Sequence, residues 1–196
     1  MKAKKVMVKK IAVFLCLLLS FFLFLGCAKP AIQEDEQYFD STPAQEQLPT
    51  VTSTVWMNIS LVDVRTGELF KISDFKGKPV LLESFAVWCP ICTQQQKKIK
   101  ELHDELGNAF VSISLDTDPH EDTAIVKEAV EEREFAWYFA VSPKELTQAL
   151  IDQFGVSVVD APAAPVVLIC EDGSARLLKR GIKSAQELKA EITEGC

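Results

Sequence analysis

The chain has 196 residues, of which 48% are hydrophobic, and its 28 acidic and 21 basic side chains give a formal net charge of −7 at pH 7. This length fits a single domain with one hydrophobic core. The acidic balance, without a basic patch, excludes nucleic acid as an expected partner and argues against electrostatic adhesion to anionic lipid.

The N-terminal segment, residues 1–26, has the pattern of an export signal. Five lysines within residues 1–10 precede sixteen uncharged residues, 11–26, which is fewer than the roughly 20 that span a bilayer comfortably. Gly26-Cys27 resembles a lipoprotein cleavage site with Cys27 as the lipidated residue, although the two preceding residues depart from the usual pattern. An uncleaved signal anchor is the alternative. Either arrangement, lipidation or an uncleaved anchor, places the rest of the chain outside the cell membrane and attached to it. Without the five lysines the net charge of the rest of the chain is −12.

The next segment, residues 27–54, is rich in Pro, Gln, Glu, Ser and Thr and has little to bury. This composition predicts a disordered tether that holds a domain, residues 55–196, away from the membrane.

The domain alternates strand and helix patterns. Two apolar-alternating runs flank Thr66-Gly67 and predict a β-hairpin. The nearly continuous apolar run VLLESFAVW, residues 80–88, is typical of a central strand buried on both faces. A helix follows from Pro90 to Gly107. The later elements are a strand at 109–116, a helix at 122–134, a strand at 136–141, a helix at 142–154, strands at 166–170 and 175–180, and a helix at 184–192. This order predicts an α/β fold with a central mixed sheet, antiparallel at one edge, flanked by helices and preceded by an N-terminal hairpin.

Four cysteines lie within the predicted domain. An exported domain meets oxidants, so these cysteines can form disulfides. The Cys-x-x-Cys spacing pairs Cys89 with Cys92. Cys170 and Cys196 either pair with each other or remain as a buried thiol and a free thiol at the C-terminus.

The Cys-x-x-Cys pair at a helix N-terminus predicts disulfide exchange. One thiolate attacks a disulfide and the second thiol resolves the mixed disulfide. The helix dipole and free backbone N–H groups lower the pKa of Cys89, and Pro90 stiffens the ring that Cys92 closes. A structural zinc site needs four ligands, and His103 and His120 are too far apart in sequence to form the missing pair. We therefore expect no metal and no cofactor beyond the redox-active disulfide Cys89–Cys92.

Glu83 is a carboxylate inside the apolar strand. Burial raises the pKa of such a group toward the range that suits proton transfer. It could accept a proton from Cys92 during resolution and return it on the reverse path. The alternative is a side chain at a solvated edge or bonded to the backbone.

The stretch FAVWCPIC resembles the active-site segment of thioredoxin-fold proteins. From residue 58 to residue 192 the chain is similar to the exported TlpA/ResA-like thiol–disulfide oxidoreductases, including the stretches LFKISDFKGKPVLLESFAVWCPIC, SLDTDP, FGV and PVVLICEDG. The resemblance implies a thioredoxin-like fold, with Cys89 as the nucleophile, Cys92 as the resolving residue and Glu83 at the position of the family's buried acid.

The resemblance also implies a client-binding surface around the cysteines. It would consist of Trp88, Pro90, Ala164 and Pro165, with a cis peptide bond between the last two. Two departures from the family concern this surface and the buried acid. The stretch SVVDAPAAP is longer than the usual link, so the loop beside Pro165 is expected to be reshaped. The lysine that partners the acid in thioredoxins would fall near Ser112, so Glu83 is expected to lack that cation, which leaves its charge state open.

The resemblance implies a membrane-tethered reductase on the extracytoplasmic face of the cell membrane. Its partners would be exported thiol or disulfide proteins, for instance before haem attachment in cytochrome c maturation, and a membrane thiol carrier that donates electrons. Cys-Pro-Ile-Cys leaves the direction open, within potentials of roughly −270 to −120 mV, so a disulfide-donating oxidase is an alternative.

Three other functions compete with disulfide exchange. A peroxiredoxin has Thr or Ser three residues before its cysteine, where this chain has Ala86. A Sco-like copper-delivery protein is suggested by SLDTDPHEDT, but that family uses Cys-x-x-x-Cys and a histidine. A binding module that merely retains the fold is disfavoured by the intact Cys-x-x-Cys.

The polar residues of SLDTDPHEDT are expected to form a solvated loop and a helix N-cap: Asp116, Asp118, His120, Glu121 and Asp122.

Overall fold

The computed structural model describes residues 54–196. The predicted signal or anchor, the lipidation of Cys27 and nearly all of the predicted tether therefore lie outside the described residues. Within residues 54–196, no helix has both the length and the apolar character needed to cross a membrane.

The strands form a mixed sheet and a separate hairpin. They are β1 (Leu61–Val62), β2 (Leu69–Phe70), β3 (Val80–Phe85), β4 (Val111–Asp116), β5 (Tyr138–Val141), β6 (Val166–Ile169) and β7 (Ala175–Leu177). The five-stranded sheet has the order β5-β4-β3-β6-β7. Strands β3, β4 and β5 are parallel, whereas β6 and β7 are antiparallel to their neighbours. This confirms the predicted mixed sheet with an antiparallel edge.

The antiparallel pair β1 and β2 confirms the N-terminal hairpin. Its strands are only two residues long, and the start of the predicted first run instead forms a 3-10 helix, Thr54–Asn58. Gly67 in the connecting turn has φ +76°, a conformation that glycine adopts without steric cost.

Within residues 54–196, four α-helices cover the sheet: α1 (Pro90–Leu106), α2 (Thr123–Glu132), α3 (Lys144–Phe154) and α4 (Ala185–Glu194). Side chains at their N-termini fix where α2 and α4 begin, since Asp122 accepts two backbone N–H bonds and Ser184 forms a capping box with Glu187. The predicted Pro-rich connection before β6 contains two 3-10 helices, Val156–Val159 and Ala161–Ala163.

Alternation along β3 places Glu83 on the side of the sheet that carries the cysteines. Val80 and Leu82 belong to the hydrophobic cluster that includes α3, while Leu81 and Phe85 belong to the cluster that includes α1 and α4. Because side chains alternate along a strand, Glu83 shares the α1 face of the sheet with Leu81 and Phe85.

A disulfide joins Cys170, just after β6, to Cys196 at the C-terminus, with 5.4 Å between the two Cα atoms. This settles the choice between a pair and two separate thiols. Arg176 on β7 and Glu191 on α4 form an ion pair with an N–O distance of 2.5 Å across the same region. The last helix is therefore attached covalently to the antiparallel edge of the sheet.

We predict that replacing both Cys170 and Cys196 with serine lowers the free energy of unfolding by about 3.5 kcal/mol. The bridge closes a loop with a sequence separation of 26 residues, and the chain-entropy model gives a stabilisation of that size. Urea unfolding of the oxidised full chain would measure it, with Cys16→Ser as the control. A loss below about 1 kcal/mol would contradict a stabilising role based on loop closure.

Candidate active site

The N-terminus of α1 positions the two cysteines that the sequence pairs. Cys89 is the N-cap residue, with an extended backbone, and Pro90 occupies the first helical turn. Cys89 and Cys92 form a disulfide, and the Cys89 Sγ accepts a hydrogen bond of 3.1 Å from the Cys92 backbone N–H. A thiolate at Cys89 would therefore lie at the positive end of the helix dipole with a backbone donor in place.

An open groove runs along the surface beside Cys89. Its lining includes Trp88, Pro90, Lys97 and Arg133. Trp88 is 60% exposed, whereas Cys89 is only 1% exposed. Cys89 therefore lines the groove with almost none of its surface exposed to solvent.

The acidic loop after β4 holds the backbone and side chain next to Cys89. The Trp88 indole Nε1–H donates to Asp118 at 2.6 Å, and the Val87 backbone N–H donates to Glu121 at 2.7 Å. Asp118 and Glu121 thus brace the active-site turn from outside the Cys-x-x-Cys motif.

The prediction of a solvated acidic loop is wrong for Asp116. Its carboxylate is buried at the end of β4, where Oδ1 accepts the Asp118 backbone N–H at 3.0 Å. Burial, reinforced by the charge of Glu121, raises the pKa of Asp116 to about 7. The prediction of a helix N-cap is confirmed at Asp122. Within residues 54–196, no group of three or more His, Cys, Asp or Glu side chains is arranged to hold a metal ion.

Glu83 is completely buried in the central strand. Its Oε2 accepts a 2.8 Å hydrogen bond from Ser114, its register partner on β4, and the Ser114 Oγ accepts another from the indole N–H of Trp137 at 3.0 Å. Oε1 has no hydrogen-bond partner among the described residues. Burial raises the pKa of Glu83 to about 8, against the opposing effects of the Ser114 hydroxyl, the nearby Gln96 amide and the charge of Lys183.

Position 112 is serine, so Glu83 lacks the thioredoxin lysine as expected, but the charge of Lys183, from another part of the chain, also acts on Glu83 and lowers its pKa against the effect of burial. Lys183 is only 7% exposed, and burial lowers its pKa to about 8. Ser112, at the position where thioredoxins have their lysine, instead bonds to His103 at 3.0 Å. Sequence alone did not single out Lys183, which precedes a helix N-cap and resembles an ordinary surface lysine.

The loop before β6 differs from the expected one. No peptide bond within residues 54–196 is cis, so the prediction of a cis bond between Ala164 and Pro165 is wrong. Ala164 instead adopts a left-handed conformation, φ 46° and ψ 57°, which turns the chain from the 3-10 helix Ala161–Ala163 into β6. Both Ala164 and Pro165 are buried, while Pro162 is exposed. The Ala161 carbonyl oxygen lies 3.1 Å from the Cys92 Sγ, so this loop still faces the disulfide.

The active-site features are those of one class of protein. A Cys-x-x-Cys disulfide at the start of the helix that follows the central strand, on the face of the sheet that also carries a buried carboxyl group, is the arrangement of thioredoxin-fold thiol–disulfide oxidoreductases. The chain belongs to the Redoxin family, whose family model matches residues 43–192.

Solved structures with this fold cover most of the described residues. A secreted Mycobacterium tuberculosis disulfide oxidoreductase homologous to E. coli DsbE is 14% identical, with a TM-score of 0.58, and the match covers 72% of this chain and 99% of that one. The pneumococcal exposed lipoprotein thioredoxin from Streptococcus pneumoniae is 22% identical, with a TM-score of 0.57 and coverage of 69% and 98%.

A curated relative, an uncharacterized protein from Haemophilus influenzae, is 30% identical over 100 residues. The match covers 49% of this chain and 60% of that protein. The similarity thus extends over less than two thirds of the relative's own length.

Proposed function

We propose that this protein is a membrane-tethered thiol–disulfide oxidoreductase on the extracytoplasmic face of the cell membrane, where it reduces disulfides of exported proteins. The observation that carries the proposal is the position of the Cys89 Sγ at the N-cap of α1, where it accepts the Cys92 N–H. This arrangement favours a Cys89 thiolate that attacks and a Cys92 thiol that resolves. The predicted export signal and the likeness to secreted and exposed proteins support the location.

The proposed reaction transfers two electrons from the dithiol to a client disulfide. The Cys89 thiolate attacks one client sulfur, the client S–S bond breaks, and the departing client thiolate takes a proton from water. The Cys92 thiol then gives its proton to the Glu83 carboxylate and attacks the Cys89 Sγ. This forms the Cys89–Cys92 disulfide and releases the second client sulfur as a thiolate. A membrane thiol carrier would reduce the pair again, and Glu83 would return its proton to Cys92.

The client would bind beside the disulfide. Trp88 and Pro90 line the groove at Cys89, and an extended client segment placed there would also approach the loop that contains Ala164 and Pro165. A role in cytochrome c maturation is part of this proposal, because proteins that receive haem need reduced cysteines.

The reduction potential of the Cys89–Cys92 pair tests the direction of electron flow. We expect a value near roughly −270 mV, as in a reductase that a membrane carrier supplies with electrons. The full chain would be equilibrated in thiol–disulfide buffers, quenched with acid and alkylated, and the peptide that contains both cysteines would be quantified by mass spectrometry. This readout separates the pair from Cys170 and Cys196. A value near about −120 mV would instead identify a disulfide-donating oxidase.

A further inference from the structure

Two side chains next to the buried acid form a hydrogen-bond network that ends on one of its oxygens. We propose that Ser114 is a positioning residue for disulfide exchange, because its hydroxyl, oriented by the indole of Trp137, holds Oε2 of Glu83. The other oxygen, Oε1, is then the atom that accepts the proton of Cys92. The inference rests on the proposed role of Glu83 as the proton acceptor, but not on the direction of electron flow.

The donors and acceptors of this network fix where its hydrogens lie. The Trp137 indole N–H only donates, so the Ser114 Oγ accepts that bond at 3.0 Å. The Ser114 hydroxyl has one hydrogen, and it donates to Oε2 of Glu83 at 2.8 Å. If Oε2 carried a proton and donated it to Ser114, the buried Ser114 O–H would lose its acceptor, which is costly. Oε2 is therefore an acceptor in both protonation states, and the proton of the neutral acid lies on Oε1.

The register of three parallel strands places these residues together. Ser114 on β4 lies opposite Glu83 on β3 and opposite Phe139 on β5. Trp137 precedes Phe139 by two residues and belongs to the same hydrophobic cluster, as expected from the alternation of side chains along a strand.

Aromatic packing holds the Trp137 indole in place. Its side chain is only 6% exposed. The ring centroids lie 4.8 Å from Phe135, 5.2 Å from Phe139 and 5.5 Å from His103. The indole N–H therefore stays directed at Ser114 whatever the charge of the acid.

The second carboxyl oxygen lies in the same interface as the resolving cysteine. Oε1 of Glu83 has no hydrogen-bond partner among the described residues. Cys92 and Gln96 are both completely buried on α1, and their separation of four residues places them on one face of the helix. Glu83 occupies the face of the sheet that α1 covers, and the Gln96 amide favours its ionised form. Glu83 is therefore buried between the sheet and the side of α1 that carries Cys92.

Ser114 also affects how readily the acid ionises. Its hydrogen bond is the largest of the effects that oppose burial and lower the pKa of Glu83, ahead of the Gln96 amide and the charge of Lys183. Among the described residues, Lys183 is the charged group that acts on this pKa, and the strand neighbours Ser114 and Val166 are neutral. A hydrogen bond to a charged acceptor is stronger than one to a neutral acceptor, so removal of the Ser114 hydroxyl disfavours the carboxylate.

In the resolution step, only Oε1 changes its protonation. The Cys92 S–H bond breaks, its proton goes to Oε1 of Glu83, and the sulfur keeps the electron pair. That pair forms the bond to the Cys89 Sγ, and the bond between Cys89 and the client breaks with its electrons on the client sulfur. The two cysteines are oxidised and the client is reduced, while Oε2 keeps its bond from Ser114.

The first measurement is a ¹³C NMR titration of the Glu83 carboxyl group in the oxidised full chain, with the signal assigned by its absence in Glu83→Gln. We expect Ser114→Ala to raise the titration midpoint by about one pH unit or more. The matched control Ser112→Ala removes a similarly buried hydroxyl of β4, which bonds to His103, and should keep the midpoint of the natural chain. An unchanged midpoint in a folded Ser114→Ala variant overturns the proposal.

Infrared spectroscopy of the protonated acid tests which oxygen carries the proton. Spectra would be recorded at about pH 6, below the pKa of about 8, and the C=O band of Glu83 assigned by its absence in Glu83→Gln. With the proton on Oε1, the carbonyl oxygen is Oε2, so loss of the Ser114 hydrogen bond in Ser114→Ala should shift this band to higher wavenumber. A band that does not shift would place the proton on Oε2 and overturn the proposal.

The indole signal of Trp137 keeps the proposal testable if Ser114→Ala does not fold. In the natural chain its ¹⁵N–H resonance should shift with the same midpoint as Glu83, and this shift should disappear in Glu83→Gln. The indole of Trp56 donates to the neutral Gln153 side chain at 2.7 Å and is the internal control. A Trp137 resonance that does not follow the titration of Glu83 would contradict the network and overturn the proposal.

The kinetic test follows both thiol steps in one trace. A reduced full chain would be mixed with dithiobis(nitrobenzoate) in a stopped-flow instrument, with serine at the other four cysteine positions, 16, 27, 170 and 196. One coloured thiolate leaves when Cys89 attacks, and a second leaves when Cys92 resolves the mixed disulfide. At about pH 7 we expect Ser114→Ala to leave the first phase unchanged and to slow the second about tenfold. It should have no further effect in the Glu83→Gln background.

The two phases separate failure of the inference from failure of the proposed function. A normal first phase with a second phase that Ser114→Ala does not slow would overturn the role of Ser114 in exchange and leave the dithiol mechanism intact. Loss of either phase in the chain that keeps Ser114 and Glu83 would overturn the dithiol mechanism itself, and the inference with it.

Discussion

Replacing Cys89 with serine is expected to abolish disulfide exchange, whereas replacing Cys92 with serine is expected to stop the reaction halfway. A serine hydroxyl does not ionise near neutral pH and does not attack a disulfide, so Cys89→Ser loses activity by orders of magnitude. In Cys92→Ser the thiolate of Cys89 still attacks, but no resolving thiol follows. One client molecule per chain should then remain attached to Cys89 as a mixed disulfide.

Non-reducing electrophoresis and peptide mass spectrometry of the Cys92→Ser chain with a disulfide-bonded client would detect this adduct. The double variant Cys89→Ser, Cys92→Ser is the matched control, because it keeps the other cysteines and removes the proposed nucleophile. Trapping through Cys170 or Cys196, or equal trapping in the control, would contradict the assignment of Cys89 as the nucleophile.

The sequence predicted the parts of this molecule that depend on local patterns. Apolar runs and their periodicity located β3, β4 and the helices, because burial on a sheet or a helix face repeats every two or 3.6 residues. The Cys-x-x-Cys motif located the disulfide, because both cysteines and the helix start lie within four residues. The nearly continuous apolar run of β3 also identified Glu83 as a charged group inside an apolar strand.

The environment of Glu83 could not be predicted in the same way, because its neighbours come from distant parts of the chain. Ser114 lies opposite Glu83 only through the register of β3 and β4, and Lys183 follows it by 100 positions in the sequence. The left-handed conformation of Ala164 was missed because alanine rarely adopts it. There the bonds that Lys183 and Gly181 make to the loop outweigh the local preference.

Glu83 should make the protein less stable as the pH rises from about 4.5 to about 8. The pKa of Glu83 is raised from its ordinary 4.5 to about 8 by burial, so in this window the unfolded chain has released a proton that the folded chain still holds. The unfolded state binds fewer protons, and the free energy of unfolding therefore falls with increasing pH. The contribution is fully present below about pH 4.5 and is lost as the pH rises through 8.

The expected size of the effect is roughly 1.4 kcal/mol per pH unit, the value for one proton. The pKa of Asp116 is also raised, to about 7, so Asp116 adds its own pH dependence to the free energy of unfolding. The informative quantity is therefore the difference in the free energy of unfolding between the natural chain and Glu83→Gln, in which Asp116 is unchanged. From pH 5.5 to pH 7.5 the natural chain should lose on the order of 2–3 kcal/mol relative to that variant.

Urea unfolding of the oxidised protein at several pH values would measure this difference, and Glu128→Gln, at an exposed position on α2, is the control that should show no such trend. Measurements would stop below pH 8, where Lys183 begins to lose its proton in the folded state because its pKa is lowered to about 8. A difference that does not change with pH would mean that Glu83 is already ionised throughout the window.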